Sequence, residues 1–189
     1  MLEINKTSLT KLEWWVHKGG KMKNKGLLLM ILWAISAPAF AQIYTTPYQV
    51  VLPAVISLID NAHSDLYLGC YSLTEPTLIS ALIAAKNRGV AVHIILDLSQ
   101  SRGRVEKVQI QRLIAGGITD ISIGQSSKHQ LIHVKMMLVD GQTAVTGSWN
   151  FSSSASLQDN ILQIENNPAD YTQLLIFWNR IKSDMENPK

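Results

Sequence analysis

Beyond residue 41 the chain alternates between short apolar runs and longer amphipathic stretches. Residues 65–73 and 90–98 are dense in branched and aromatic side chains and predict buried strands, with a shorter strand over 118–123. Between them the spacing turns helical. Thr74-Glu75-Pro76 opens a helix through Ala85, followed by Gly89, and 101–115 is a polar lead into an amphipathic helix stopped by Gly116-Gly117. Upstream, Val50, Val51, Val55, Leu58 and Ile59 form a helical stripe in 47–61, where Pro53 is tolerable only near the first turn. Downstream, 132–139 and 143–146 predict two strands joined across the turn pair Asp140-Gly141. A short helix over 152–157, a last strand over 160–164 and a helix over 169–182 complete the pattern, the helix carrying Leu174, Phe177, Trp178 and Ile181 on one face. Strand–helix alternation followed by a hairpin predicts the α/β class: a mixed β-sheet flanked by helices, in a single domain without internal repeats.

The first 41 residues read differently. Lys21, Lys23 and Lys25 precede the apolar run from Leu27 to Ile35, and Pro38 and Ala39-Phe40-Ala41 follow. A basic start, a short apolar run and a small-x-small end predict a signal peptide over 22–41, cleaved after Ala41. An uncleaved anchor is the alternative, but the run is shorter than the roughly 20 apolar residues a span requires. The expected location is periplasmic or secreted, with no stable membrane association after cleavage. Residues 1–21 are out of place before such a peptide. Lys18-Gly19-Gly20-Lys21-Met22 can be encoded as a purine-rich ribosome-binding site ahead of a start codon, so translation is expected to begin at Met22. The mature domain is then 42–189.

Charge modifies this picture. The net +3 at pH 7 belongs to the leader: residues 1–41 hold six Lys and two Glu, leaving 11 basic and 12 acidic residues beyond them. No global argument for a polyanion partner survives. Locally, 86–135 carries eight basic residues against three acidic ones, while 136–189 carries three against six. That polarised field suits a phosphate backbone running into one region. Hydrophobic content of 47% with 16% charged residues excludes a disordered chain. One cysteine, Cys70, excludes an intramolecular disulfide, and in an apolar strand it reads as an inert small hydrophobe.

The chemistry concentrates in His133-Val134-Lys135, Asp140 and Gly147-Ser148-Trp149-Asn150. Residues two apart on a strand share a face, so His133 and Lys135 are expected to project together. An imidazole beside a fixed ammonium suits a phosphodiester: the imidazole attacks phosphorus, and the ammonium binds the non-bridging oxygens. Gly147 permits close backbone approach, while Ser148 and Asn150 add neutral donors. Trp149, between them, is expected in the core rather than stacked on a base.

This pattern resembles the signature of the phospholipase D superfamily, H-x-K-x4-D-x6-G-S/T-x-N, and matches it at every specified position. A chance match is on the order of 10⁻⁸ per starting point at average residue usage. Size, leader, Phe151 and the Asp159-Asn160 pair resemble the small bacterial endonuclease branch, related to mitochondrial cardiolipin hydrolase. The resemblance implies a phospholipase D/nuclease-like sandwich. His133 would form a covalent phosphohistidine, Lys135 and Asn150 would hold the phosphate, and Ser148 would support them. Asp140 belongs to the catalytic signature but would be largely structural, near the hairpin. Asp159 stands where the family carries an acid that orients the histidine, one methylene shorter, and a capping or surface carboxylate is the competing reading. The motif occurs once, whereas the chemistry needs two imidazoles, one to attack and one to donate a proton. A homodimer with both copies of His133 at a twofold axis is therefore expected. No metal or other cofactor is expected.

Arg102 and Arg104, in a loop containing Gly and Ser, and His129 at the rim are the expected further substrate contacts. A zinc pair of His129 and His133 fails because Gln130 stands where a metalloprotease helix needs Glu, and the segment enters a strand. The expected function is a non-specific endonuclease cutting DNA, and RNA as a further substrate. The alternatives are a phospholipase D or cardiolipin hydrolase, whose apolar rim is not evident in the sequence, and a dimeric polyanion-binding protein without activity.

Overall fold

The computed structural model describes residues 41–187. The expected upstream extension and signal peptide lie outside the described residues, apart from Ala41. Seven strands form one mixed sheet: β1 (Gln42–Thr46), β2 (Asp65–Cys70), β3 (Ala91–Asp97), β4 (Ile121–Gly124), β5 (Lys135–Val139), β6 (Thr143–Gly147) and β7 (Asn160–Asn166), in the order β1-β7-β6-β5-β2-β3-β4. The β2–β3 and β3–β4 pairs are parallel and the rest antiparallel. The helices are α1 (Val51–Asp60), α2 (Pro76–Asn87), the single turn α3 (Leu98–Ser101), α4 (Arg104–Ala115) and α5 (Pro168–Glu186). No helix among the described residues is long and apolar enough to cross a membrane.

Both faces of the sheet are covered, which is why its central strands read as continuous apolar runs. On β5, Met137 and Val139 pack under α1 and α2 with Val55, Ile59, Leu78 and Leu82, while Met136 and Leu138 point the other way, onto Tyr171, Trp178 and Ile181 of α5. Strand period two thus feeds two separate cores.

Several boundaries differ from the sequence expectation, each for a physical reason. β1 is a strand the sequence pattern does not predict, at the edge of the sheet and paired, among the described residues, with β7 alone. β2 ends at Cys70 rather than 73, because Leu73 N–H donates to the Glu106 carboxylate and those of Thr74 and Glu75 to the Phe151 carbonyl. The strand expected over 132–139 starts at Lys135, since the Ile132 N–H is taken by the Asp97 carboxylate. Within the expected polar lead and helix of 101–115, the lead ends at Gly103, which caps α4. On α5 the buried stripe is Tyr171, Trp178 and Ile181, and Phe177 lies 44% exposed.

The topology gives the sheet two functionally distinct edges. The C-terminal ends of β2 and β3 meet the start of β5, the end of β6 and the start of β7, as the pairs Cys70↔Lys135, Cys70↔Leu96, Met136↔Thr146 and Gly147↔Leu162 show. At the opposite edge lie Asp65, Val139 and Thr143.

Candidate active site

His133 occupies the extended segment just before β5, exposed, on the same parity as Lys135. Its ring leans on Tyr71, with centroids 4.8 Å apart and planes tilted by 59°. Lys135 Nζ sits 5.2 Å from the centre of the same ring and donates to the His133 carbonyl at 3.0 Å. Tyr71 thus bridges the two residues that the sequence places together. Lys135 is 7% exposed and in no ion pair among the described residues. Burial pushes its ammonium below the ordinary lysine value, only partly opposed by the Cys70 thiol beneath it. Such a poorly solvated cation gains most by meeting an anion.

From the neighbouring strand, β6 ends in Gly147 with φ of 154°, where an added Cβ would overlap the Ile161 carbonyl. The close approach is therefore to β7 and not to a ligand. Ser148 continues it: its N–H donates to Ile161 O at 2.8 Å, and its Oγ accepts from Ile161 N at 3.0 Å. Ser148 holds the turn in place and keeps its own hydroxyl proton to donate. Trp149 is fully buried, edge-on to Phe151 at 5.5 Å. This anchor fixes Asn150, whose Oδ1 is buried without a hydrogen-bond partner. A buried amide oxygen without a donor is costly, of order 1–3 kcal/mol, so this Oδ1 calls for a donor, while the NH2 of the same amide is the group able to meet an anion.

The remaining sequence candidates separate. Arg102 and Arg104 are exposed around the α3–α4 break, and His129 is exposed beside Lys128, both with φ of 57°. All follow strands that end at the His133 edge, and neither arginine is in an ion pair among the described residues. Asp159 is exposed before β7, in a shallow depression with Thr45, Thr46 and Tyr48. It makes no hydrogen bond to His133, so within one chain the imidazole is oriented by Tyr71 rather than by that carboxylate. Asp140 lies at the opposite sheet edge and cannot touch a substrate held by His133. Its Oδ2 accepts from His63 N at 2.8 Å, and its Oδ1 from Ser64 N at 2.8 Å, Ser64 Oγ at 2.9 Å and Asp65 N at 3.1 Å. Burial pushes that carboxyl up, but these donors outweigh it and hold it below the usual carboxylate range. Among the described residues, no group of three or more His, Cys, Asp or Glu is placed to hold a metal ion.

Sequence reasoning missed the support around His133. Tyr71 reads as an ordinary strand residue, yet its hydroxyl accepts from Gln100 Nε2 at 2.8 Å. Fully buried Asp97 caps α3, and only the spacing Asp97-Leu98-Ser99-Gln100 could have signalled that cap. Glu106 is 3% exposed, holding Leu73 N–H and Ser72 Oγ; burial pushes its carboxyl up despite those bonds. Burial likewise pushes the Cys70 thiol well up, which keeps it inert. A groove of about 370 Å³ with mixed walls runs from His133 and Ile132 along α5, apolar at Leu131, Phe177 and Ile181 and polar at Ser126, Ser127, Arg180 and Asp184.

An exposed imidazole and a buried cation stand at the same end of the sheet as Ser148 and Asn150, an arrangement with the chemistry to bind an anion beside an imidazole. Comparison with known proteins agrees. The family model described as "Cardiolipin synthase, PLD-like domain" matches residues 55–178, well over half of the 189-residue chain. The chain belongs to this family, within the phospholipase D superfamily of phosphodiesterases. It is 29% identical over 133 residues to a phospholipase D of Rickettsia felis, covering 69% of this chain and 64% of that protein. With the Rickettsia bellii phospholipase D it shares 31% identity over 110 residues, 57% of this chain and 52% of the relative. The chain thus spans less than two thirds of the length of these curated relatives. The crystal structure of Nuc from Salmonella typhimurium, a phospholipase D family member, superposes with a TM-score of 0.70 at 28% identity, covering 78% of this chain and 96% of Nuc.

Proposed function

We propose that this protein is an exported endonuclease that hydrolyses the phosphodiester backbone of DNA and RNA with little regard to sequence, working as a homodimer. The observation that carries the reading is an uncompensated cationic end of the sheet: buried Lys135 beside an exposed imidazole, with exposed Arg102, Arg104 and Lys128 on segments that follow β3 and β4 from the same end, and no ion pair to any of the four among the described residues. Such an edge attracts a polyanion through its phosphates, without reading bases.

In the proposed mechanism, a ring nitrogen of His133 attacks phosphorus and the P–N bond forms as the bond to the leaving oxygen breaks. Lys135 Nζ and the Asn150 amide neutralise the non-bridging oxygens as charge builds on them. The leaving oxygen takes its proton from the imidazolium of the second copy's His133. Water then attacks phosphorus, gives its proton back to that second imidazole, and displaces His133 with cleavage of the P–N bond. Two identical residues in opposite protonation states titrate as a pair, so activity follows a bell-shaped pH profile. With two lysines and two asparagines supplying the charge stabilisation, turnover is expected to persist in EDTA.

A second reading has its own support. Leu131, Phe177 and Ile181 in the groove beside His133, and the names of the Rickettsia relatives, suit a phospholipid phosphodiester. The two are separated by incubating residues 42–189 in excess EDTA with plasmid DNA, single-stranded RNA and cardiolipin vesicles, beside His133→Asn. Nicking by the parent and not by the variant is expected. Turnover of lipid alone would replace the nuclease reading with the lipid one, and DNA binding without cleavage would overturn both.

A further inference from the structure

We infer that Asp97 is the positioning residue of this site, a single buried carboxylate that sets His133 through two separate arms. The inference rests on the reading of His133 as the nucleophile. Asp97 lies at the C-terminal end of β3, fully buried and in no ion pair among the described residues. A carboxylate in that setting persists only if hydrogen bonds replace its hydration. Its two oxygens are used differently. Oδ1 caps the turn α3, accepting from Ser99 N at 2.8 Å, Gln100 N at 3.3 Å and Ser99 Oγ. Oδ2 accepts a single bond, from Ile132 N at 2.8 Å, 35 residues away.

The Oδ2 arm acts through the backbone. Ile132 is adjacent to His133 and precedes β5, so the β2–β5 ladder ends short of it: the last bond of that ladder is Tyr71 N–H to Val134 O at 3.0 Å. The bond to Asp97, with the buried Ile132 side chain against the α5 core, fixes where His133 leaves the sheet. The Oδ1 arm acts through side chains. The capped turn orients Gln100, whose Nε2 holds the Tyr71 hydroxyl at 2.8 Å, and the Tyr71 ring backs both His133 and Lys135 Nζ. Helix capping by itself uses Oδ1 and gives no reason for Oδ2 to reach Ile132. The two arms converge on one residue, His133, one through its neighbouring backbone and the other through the ring packed on it. The other ionisable groups near this end of β2 and β3, Glu106, Cys70 and Lys135, contact neither Ile132 N–H nor Gln100.

The test uses full-length protein and bis(p-nitrophenyl) phosphate, a minimal phosphodiester with no base or lipid. Asp97→Asn retains the shape but replaces one acceptor by a donor, so one arm opens. Its kcat is expected to fall about 10- to 100-fold with KM changed less than twofold, because a small misplacement of a reacting group costs rate rather than binding. Gln100→Leu cuts only the Tyr71 arm and should lower kcat about 3- to 10-fold at unchanged melting temperature. The His133 Cε1–H resonance, assigned by its loss in His133→Asn, should shift in both variants. Unchanged kcat and an unmoved resonance in the folded variants would overturn the inference. If Asp97→Asn does not fold, Gln100→Leu and Tyr71→Phe decide by the same two readouts. Should the parent fail to cleave the diester, the nucleophile reading falls by itself, while the resonance still tests the positioning.

Discussion

The β5–β6 hairpin carries the family signature at both of its ends, and the two ends obey opposite rules. At the turn, Asp140 sits with φ of 52° and accepts four hydrogen bonds from residues 63–65, so nothing is left to offer a ligand. At the open end, among the described residues, Lys135 is a buried cation without a counter-ion, Asn150 Oδ1 has no hydrogen-bond partner, and His133 stands exposed. One end commits its polar groups to the fold; the other holds them in reserve at some cost in stability. A motif shared across a family therefore mixes two kinds of residue, and only their place in the sheet separates them.

The contrast can be broken at either end. The largest effect is expected from Lys135→Met: kcat/KM should fall about 10²- to 10³-fold, the loss typical of removing one transition-state donor. Thermal stability should rise at neutral pH. Because burial holds the Lys135 pKa below its unfolded value, the parent carries a penalty at low and neutral pH that disappears as pH rises through the depressed pKa toward the ordinary one. Melting temperatures of both proteins against pH should converge in alkali. A drop in stability at neutral pH would show that the open end is not held under tension.

At the turn the signs reverse. Asp140→Asn should cost about 1–3 kcal/mol in urea unfolding, through missing and mismatched hydrogen bonds, while kcat per folded molecule stays as in the parent. The depressed Asp140 carboxyl contributes stability above its unfolded pKa, and that stability is lost as pH falls through the folded value. The gap between variant and parent should therefore narrow in acid. Smaller still, Arg102→Ala with Arg104→Ala should raise KM for DNA several-fold and reduce the slope of log KM against log salt by about two, one for each phosphate left without its guanidinium. The smallest effect is expected from Phe177→Ser, which should weaken turnover of lipid vesicles about two- to threefold if the groove takes acyl chains, and leave plasmid nicking alone.

Much of this was legible from residue order. Alternating apolar runs and helix signals located β2, β3, α2 and the hairpin, because period and turn chemistry are local properties of the backbone. β1 escaped, since in Gln42–Thr46 only half-buried Tyr44 and buried Thr46 turn inward, too few positions for a pattern to arise. Phe177 was placed inward because helical spacing gives a stripe but not its edge: Trp178, one residue on, took the sheet-facing position. Within the site, His133, Lys135, Ser148 and Asn150 were named by spacing. Asp159 was not brought to the imidazole, and Tyr71, Gln100 and Asp97 carried no motif at all.

What the sequence determined by itself was the superfamily and its motif residues, because His133, Lys135, Ser148 and Asn150 lie within one hairpin and its flanks, where chain spacing fixes geometry. What the tertiary structure decided was which groups remain free and what holds them. Asp97, Tyr71 and Ile132 come from three separate parts of the chain and meet only because β2, β3 and β5 stand side by side with their ends aligned. Hydrogen bonds spanning 35 residues leave no trace in local composition, since each partner is chosen by a neighbour that only folding supplies.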